Sequence, residues 1–318
     1  MAEISIQNIE GFFIGNAQDI EGGTGCTAIY CPEGASAGVD VRGGGPATRE
    51  TDLLNPVNMV DKIHCVMLSG GSAFGLAAAD GAMAYLEEHE VGFDVGVGRV
   101  PIIPSACLFD LVVGDPKRRP DREMGYAALV DAEKNAPQSG LVGSGTGATV
   151  GKICGAERAM KSGLGIYAEQ IGDLKVGAVV AVNALGDVMD WETHRPLAGL
   201  LKEDGTGVAS TLTAFKQIVD PNFSAFQGNT TLGCVITNAV LTKSQAKKVA
   251  MMTHNGYARA ICPVHTSADG DAIFTMAKGK VEAHIDVVGA VAAEVMMKAI
   301  CRAVKVPSAY GFKGYLDL

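Results

Sequence analysis

The chain has 318 residues, 47% hydrophobic and 19% charged, and a formal net charge of −9, against roughly 25% charged residues in an average soluble domain. This composition excludes a disordered chain, and an acidic balance without a basic cluster excludes the electrostatic footprint of a nucleic-acid binder. No uninterrupted apolar run reaches the ~18 residues of a membrane-spanning helix.

The start, Met-Ala-Glu-Ile-Ser-Ile-Gln, lacks the basic and apolar regions of a signal peptide. Eight scattered cysteines without a C-x-x-C pair read as buried reduced thiols, so a cytoplasmic protein is expected. No repeat, charge block or linker marks a boundary, and 1–318 is read as one domain. Its 41 glycines predict many close approaches of backbone to backbone or to a ligand.

In chain order, residues 26–31 and 36–42 read as short strands. Pro32-Glu33-Gly34 between them suggests a hairpin. The run 63–68 reads as a strand that ends in Ser69-Gly70-Gly71-Ser72, with a helix from Ala73 to His89 capped by Ser72. Residues 101–113 are apolar and 121–135 helical. Then comes the glycine-dense tract Gly140–Gly155, followed by two apolar segments, 164–171 and 175–190, split at Gly172-Asp173. Residues 200–229 read as a surface excursion with a short helix near 209–218. A strand at 230–237, a helix opening with the capping box Thr242-Lys-Ser-Gln245, a strand near 271–277 and a helix from Asp286 to about Val304 complete the chain. The β-α-β-α alternation of a doubly wound sheet is missing, so an α+β layered sandwich is predicted.

Several motifs invite chemistry and fall short of it. Gly145-Thr-Gly-Ala-Thr-Val-Gly151-Lys152 lacks the first glycine and the hydroxyl of a Walker loop. Gly70-Gly71-Ser72-Ala73-Phe74-Gly75 puts Phe74 where a nucleophile elbow needs glycine. The six histidines show no H-x-H or H-x-x-x-H spacing, so no metal or cofactor is expected.

Gly228-Asn229-Thr230-Thr231-Leu232-Gly233 is stronger, because it joins a loosely patterned loop to a well-patterned strand. A threonine hydroxyl becomes a useful nucleophile when its own α-amine is free, and an internal threonine gains that amine only by cleavage in front of it. On spacing alone the plainer reading, two β-formers opening a strand, is favoured. Asp269-Gly270-Asp271 puts two carboxylates on one face of an extended segment, or forms a solvated turn.

Taken with Gly38-Val-Asp-Val-Arg42, Thr48-Arg49-Glu50-Thr51-Asp52, Ser69-Gly-Gly-Ser-Ala-Phe-Gly-Leu76 and Val264-His265-Thr266, these motifs make the chain resemble one family over most of its length. That family comprises L-aminopeptidase/D-esterase, β-peptidyl aminopeptidases and the nylon-oligomer hydrolase. The resemblance implies a four-layer αββα sandwich of the N-terminal-nucleophile-hydrolase type. It also implies self-cleavage between Asn229 and Thr230 into chains 1–229 and 230–318, with strain stored in the 219–229 loop. Thr230 is then the nucleophile, Asp269 and Asp271 orient it, and Asn183 supplies an oxyanion donor. Lys152 would be a charged donor at the site or a plain surface lysine.

The nucleophile and the Asp-x-Asp pair follow the nylon-oligomer branch. Phe109 stands where several members have tyrosine, so a hydroxyl is missing: either the second oxyanion donor is another group, or Phe109 lines a pocket shaped for different substrates. The expected substrate is a small peptide or amide. The apolar composition suggests a homo-oligomer, and the resemblance implies a tetramer of processed heterodimers. Two alternatives stand beside this reading: acyl transfer of the ornithine acetyltransferase type, and a non-catalytic protein holding an anion on the Gly140–Gly155 tract.

Overall fold

The architecture turns on one strand. In the computed structural model, which describes residues 2–218, 220 and 228–318, Thr24–Val41 forms a single 18-residue strand (β3) between β1 (Ala2–Glu3), β2 (Phe13–Asp19) and the later strands. These are β4 (Ala47–Arg49), β5 (Lys62–Ser69), β6 (Ser105–Cys107), β7 (Leu164–Ile171), β8 (Leu174–Asn183), β9 (Thr230–Ala239) and β10 (Ala272–Val281). They make one ten-stranded sheet in the order β1-β7-β8-β9-β10-β3-β5-β6-β4, with β2 also on β3.

Along one edge of β3, β2 pairs with residues 24–30 and β10 with residues 36–41. Along the other edge runs β5, whose register slips between Tyr30 and Ala35. The slip, with Gly34 at φ +74°, bends the strand where the sequence predicts a hairpin. Pro32-Glu33-Gly34 inserts extra residues without reversing the chain, because β5 pairs with both halves.

Bent this way, the sheet folds over on itself. Between its halves lies a core of Ile29, Val39, Leu68, Ile166, Val179, Leu232, Phe274 and their neighbours. Outside one half pack α1 (Ala78–Glu88) and α2 (Arg122–Ala132), against Cys26, Ala28, Tyr30 and Met67. Outside the other pack α4 (Lys243–Ala260) and α5 (Ile285–Ala303), against Val176, Val180 and Val182 of β8 and Val235 of β9. The layers therefore run helix, sheet, sheet, helix. A short α3 (Thr211–Lys216) lies within the predicted 209–218 region.

Each fully buried valine in β8 contributes about 1.5–3 kcal/mol of transfer free energy before conformational entropy is subtracted. Two glycines bring helix and sheet into close contact. A Cβ on Gly15 would lie 2.1 Å from the Ala128 carbonyl oxygen of α2, and one on Gly165 1.9 Å from that of Ala299 in α5.

Local signals place the C-terminal elements well. Thr242 and Gln245 form the reciprocal capping box at the start of α4. The helix after β5 departs from expectation. Residues Ser72–Ala77 wind as a 3₁₀ turn before α1, with Gly71 rather than Ser72 in the N-cap position. The Gly71 N–H donates to the Asp110 carboxylate at 2.7 Å, a partner 39 residues away. All eight cysteines are free, six of them buried, with Cys154 and Cys262 half-buried. No described helix is long and apolar enough to cross a membrane. Of the 219–229 loop, residues 219 and 221–227 lie outside the described residues.

Candidate active site

Antiparallel pairing of β8 with β9 sets Asn183 directly opposite Thr230. Val179, Ala181, Leu232 and Cys234 of these strands point into the core between the sheet halves. By the two-residue strand period, Asn183 and Thr230 point to that side as well, at the end of the core. Both are buried, as are Lys152, Asp269 and Asp271. Neither a surface lysine at 152 nor a solvated turn at 269–271 is what the structure contains.

Lys152 opens a 3₁₀ turn after Gly151, whose φ is +73°. Its ammonium donates to Asn183 O (2.9 Å), Asn183 Oδ1 (2.9 Å) and Gly228 O (3.2 Å). Three protein acceptors take up its three donors, so it has none left for a phosphate on the glycine tract. Asn183 Nδ2 donates to Phe109 O (2.9 Å) and to Gly228 O (3.1 Å). The carbonyl two residues before Thr230 is thus held by both predicted donors.

The carbonyl immediately before Thr230 is held differently. Asn229 O accepts the Gly270 N–H at 3.0 Å, and Thr230 Oγ1 donates to the same oxygen. An isolated parallel bridge sets Asn229 beside Asp269. Gly270 also makes room for the hydroxyl, since a Cβ there would lie 2.6 Å from Thr230 Oγ1. Gly228, at φ +66°, lies so close to Phe109 that a Cβ would meet its ring at 1.9 Å.

The two aspartates do not bond the Thr230 hydroxyl; they fix the backbone around it. Asp271 Oδ1 accepts the Thr231 N–H (2.7 Å), and Oδ2 accepts the His265 N–H (3.2 Å) and lies 2.8 Å from His265 Nδ1. Asp269 Oδ2 accepts the N–H (2.9 Å) and Oγ1–H (2.5 Å) of Thr266. Burial, then the charge of Asp271, raises the Asp269 carboxyl above its usual range. Burial brings the Lys152 ammonium down to about 7 against the opposing pull of Asp269, Asp110 and Asp271. The buried ammonium therefore gives up its proton more readily than an exposed lysine does.

Beside Lys152 opens a cavity of about 210 Å³ with apolar walls from Phe109, Val112, Ala156, Ala159 and Phe312. Ligand pockets commonly span about 300–1,000 Å³, so this one suits a small group. Among the described residues no cluster of three or more His, Cys, Asp and Glu side chains is placed to hold a metal.

Sequence reasoning missed Gly270, Asp110, Lys161 and His265. Asp110 accepts from Thr24 Oγ1 and the Gly71 N–H, both at 2.7 Å, and burial raises it to about 6. Lys161, buried with its Nζ on Ala148 O and Ser162 O (both 2.7 Å), is brought down by burial to about 7. An acid inside the apolar run 101–113 was the available signal for Asp110. His265 sits in a quoted motif that assigned it no role.

The family model described as peptidase family S58 matches residues 5–314. An uncharacterized aminopeptidase of Mycobacterium leprae is 41% identical over 298 residues, covering 88% of this chain and 80% of that protein. A 6-aminohexanoate-oligomer endohydrolase of Agromyces sp. is 30% identical over 311 residues, covering 93% and 84%. Among solved structures, a β-aminopeptidase of Burkholderia sp. matches with a TM-score of 0.68 at 18% identity, covering 96% and 89% of the two chains. The L-aminopeptidase D-Ala-esterase/amidase of Ochrobactrum anthropi, described as a variant of the Ntn hydrolase fold, matches with a TM-score of 0.69 at 16% identity, covering 94% and 85%. These likenesses carry the fold: the α+β sandwich described above is of the N-terminal-nucleophile-hydrolase type.

Proposed function

The chain belongs to peptidase family S58, a family of amide-bond hydrolases, and from that premise we propose that it cuts itself before Thr230 and then hydrolyses small peptides or peptide-like amides through the Thr230 hydroxyl. The observation that carries the reading is the Asn229–Thr230 junction. The hydroxyl lies against the carbonyl it would attack, and that carbonyl already accepts the Gly270 N–H at 3.0 Å.

In the uncut chain, Thr230 Oγ bonds to the Asn229 carbonyl carbon and the Asn229–Thr230 C–N bond breaks. The hydroxyl proton ends on the Thr230 nitrogen. Gly270 N–H stabilises the oxyanion that forms on the way, a donor role worth about 2.7–4 kcal/mol where one has been removed from other enzymes. Water then hydrolyses the ester, leaving an Asn229 carboxylate and a Thr230 that carries both hydroxyl and free amine. An α-amine has an ordinary pKa of roughly 7.7–8.0, so a useful fraction is neutral near pH 7.

On a substrate, the Thr230 amine takes the hydroxyl proton as Oγ attacks the amide carbonyl. The proton passes to the leaving amine, and water releases the acyl group from the ester. Once Gly228 withdraws, Asn183 Nδ2 and the Lys152 ammonium lose a shared acceptor and are available to a substrate carbonyl. Asp271 and Asp269 hold the 231 and 266 amides and so keep the strand start in place. The apolar cavity beside Phe109 favours a small uncharged acyl group.

Intact-mass spectrometry of purified protein tests the proposal. The wild type is expected as chains 1–229 and 230–318, with an acyl adduct on the small chain after brief exposure to an amino-acid p-nitroanilide, and Thr230→Ala is expected whole. A wild type that stays in one piece and traps no acyl group rules it out.

A further inference from the structure

One half-buried group near the site has no part in the proposed chemistry. His265 takes a left-handed backbone conformation, φ +57°, which histidine adopts more readily than most side chains. That conformation turns both its N–H and its ring toward one oxygen, Asp271 Oδ2. The other Asp271 oxygen accepts the N–H of Thr231, the residue after the nucleophile. With a backbone N–H on each oxygen, Asp271 is placed as an acceptor, and a proton on the ring nitrogen facing it completes the pair.

We propose that His265 is a positioning residue of the amide-hydrolysing site: its Nδ1–H holds Asp271 oriented, and through Asp271 it fixes the start of β9 and the Thr230 hydroxyl. This rests on the reading of Thr230 as nucleophile.

The surroundings suit one tautomer. On α4, the Tyr257 ring stacks on His265 with centroids 5.9 Å apart, and His254 meets it edge-on at 4.7 Å. His254 Nε2 lies 3.0 Å from Asp40 O on β3, whose carboxylate pairs with Arg42. Burial drops His254 to about 4, so this neighbour is neutral at working pH and adds no competing charge. Asp269 from the same segment and Lys152 from the opposite side complete the charged groups facing Asp271. His265 Nε2 is buried with no partner among the described residues. An Nε2–H would be an unsatisfied donor there, whereas Nδ1–H is satisfied by a carboxylate.

His265→Gly removes the ring donor without straining the left-handed backbone. His265→Asn restores an N–H at the position of Nδ1 in a residue that also tolerates that conformation. The expected result for His265→Gly is a fall in kcat of about ten- to hundred-fold with KM little changed. His265→Asn is expected to bring kcat back.

A merely structural histidine would lower the melting temperature and leave kcat in place; that outcome overturns the assignment, as does an asparagine variant no better than glycine. ¹⁵N–¹H spectra of histidine-labelled wild type read the tautomer directly, whether or not the variants fold, and an Nε2–H tautomer also overturns it. Parallel runs with wild type and Thr230→Ala separate the two claims. If Thr230→Ala hydrolyses amides as wild type does, the nucleophile reading falls. If wild type acylates and His265→Gly matches it in kcat, only the role of His265 falls.

Discussion

Gly270→Ala adds one methyl group where the proposed self-cleavage has least room. Gly270 is not among the glycines with positive φ, so alanine brings no backbone penalty, and the effect comes from the added carbon. Built on the backbone, that carbon lies 2.6 Å from Thr230 Oγ1 and 2.8 Å from Gly45 O. Moving the hydroxyl out to the 3.4 Å of an ordinary contact displaces it by about 0.8 Å from its present position. Overpacking of this kind costs about 1–3 kcal/mol, which is a loss of a few degrees in melting temperature for a chain of this size. Misplacing a reacting atom by ~1 Å costs about a hundredfold in rate. The variant is therefore expected to fold and to cut about a hundred times more slowly. A time course of intact mass from freshly made protein reads the rate, and the melting temperature checks the fold. A folded Gly270→Ala chain that cuts as fast as wild type refutes the attack geometry.

The remaining predictions concern the donors and the buried charges. Asn183→Ala removes the amide donor to Gly228 O and Phe109 O and one acceptor of Lys152. Its kcat on a p-nitroanilide is expected to fall about 10²–10³-fold, and a loss under threefold argues against an oxyanion role. Lys161→Met tests the second buried lysine. The folded chain holds the Lys161 proton less firmly than the unfolded chain, with a pKa of about 7 against 10.5. Between those pH values the unfolded chain binds more protons, so stability rises with pH, by at most about 5 kcal/mol from this group. Lys152 adds to the rise in the same direction. Melting temperatures from pH 7 to 10 are expected to climb in wild type and to climb less in Lys161→Met; identical slopes contradict the burial argument.

The elements legible from sequence are those set by neighbours in the chain. The α4 capping box needs only Thr242 and Gln245, and the β7–β8 turn needs only Gly172 and Asp173. β3 reads as a hairpin because Pro32-Glu33-Gly34 carries the local signature of a reversal, while its outcome is decided by β5, which pairs with both halves from more than 25 residues away. The site divides in the same way. Thr230 and the aspartates belong to short motifs. That Asn183 faces Thr230 follows from strand register, and that Asp110 caps the 69–72 turn follows from packing, and neither is written in nearby residues.

The place of β9 and β10 within the sheet carries a practical consequence. A break before Thr230 would free a chain end whose first strand lies between β8 and β10, while β10 itself is hydrogen-bonded to β3. The two fragments would stay interlocked through two strand ladders and could not part without unfolding. An affinity tag on one fragment should therefore bring down its mate in equal amount, and only denaturant should release it.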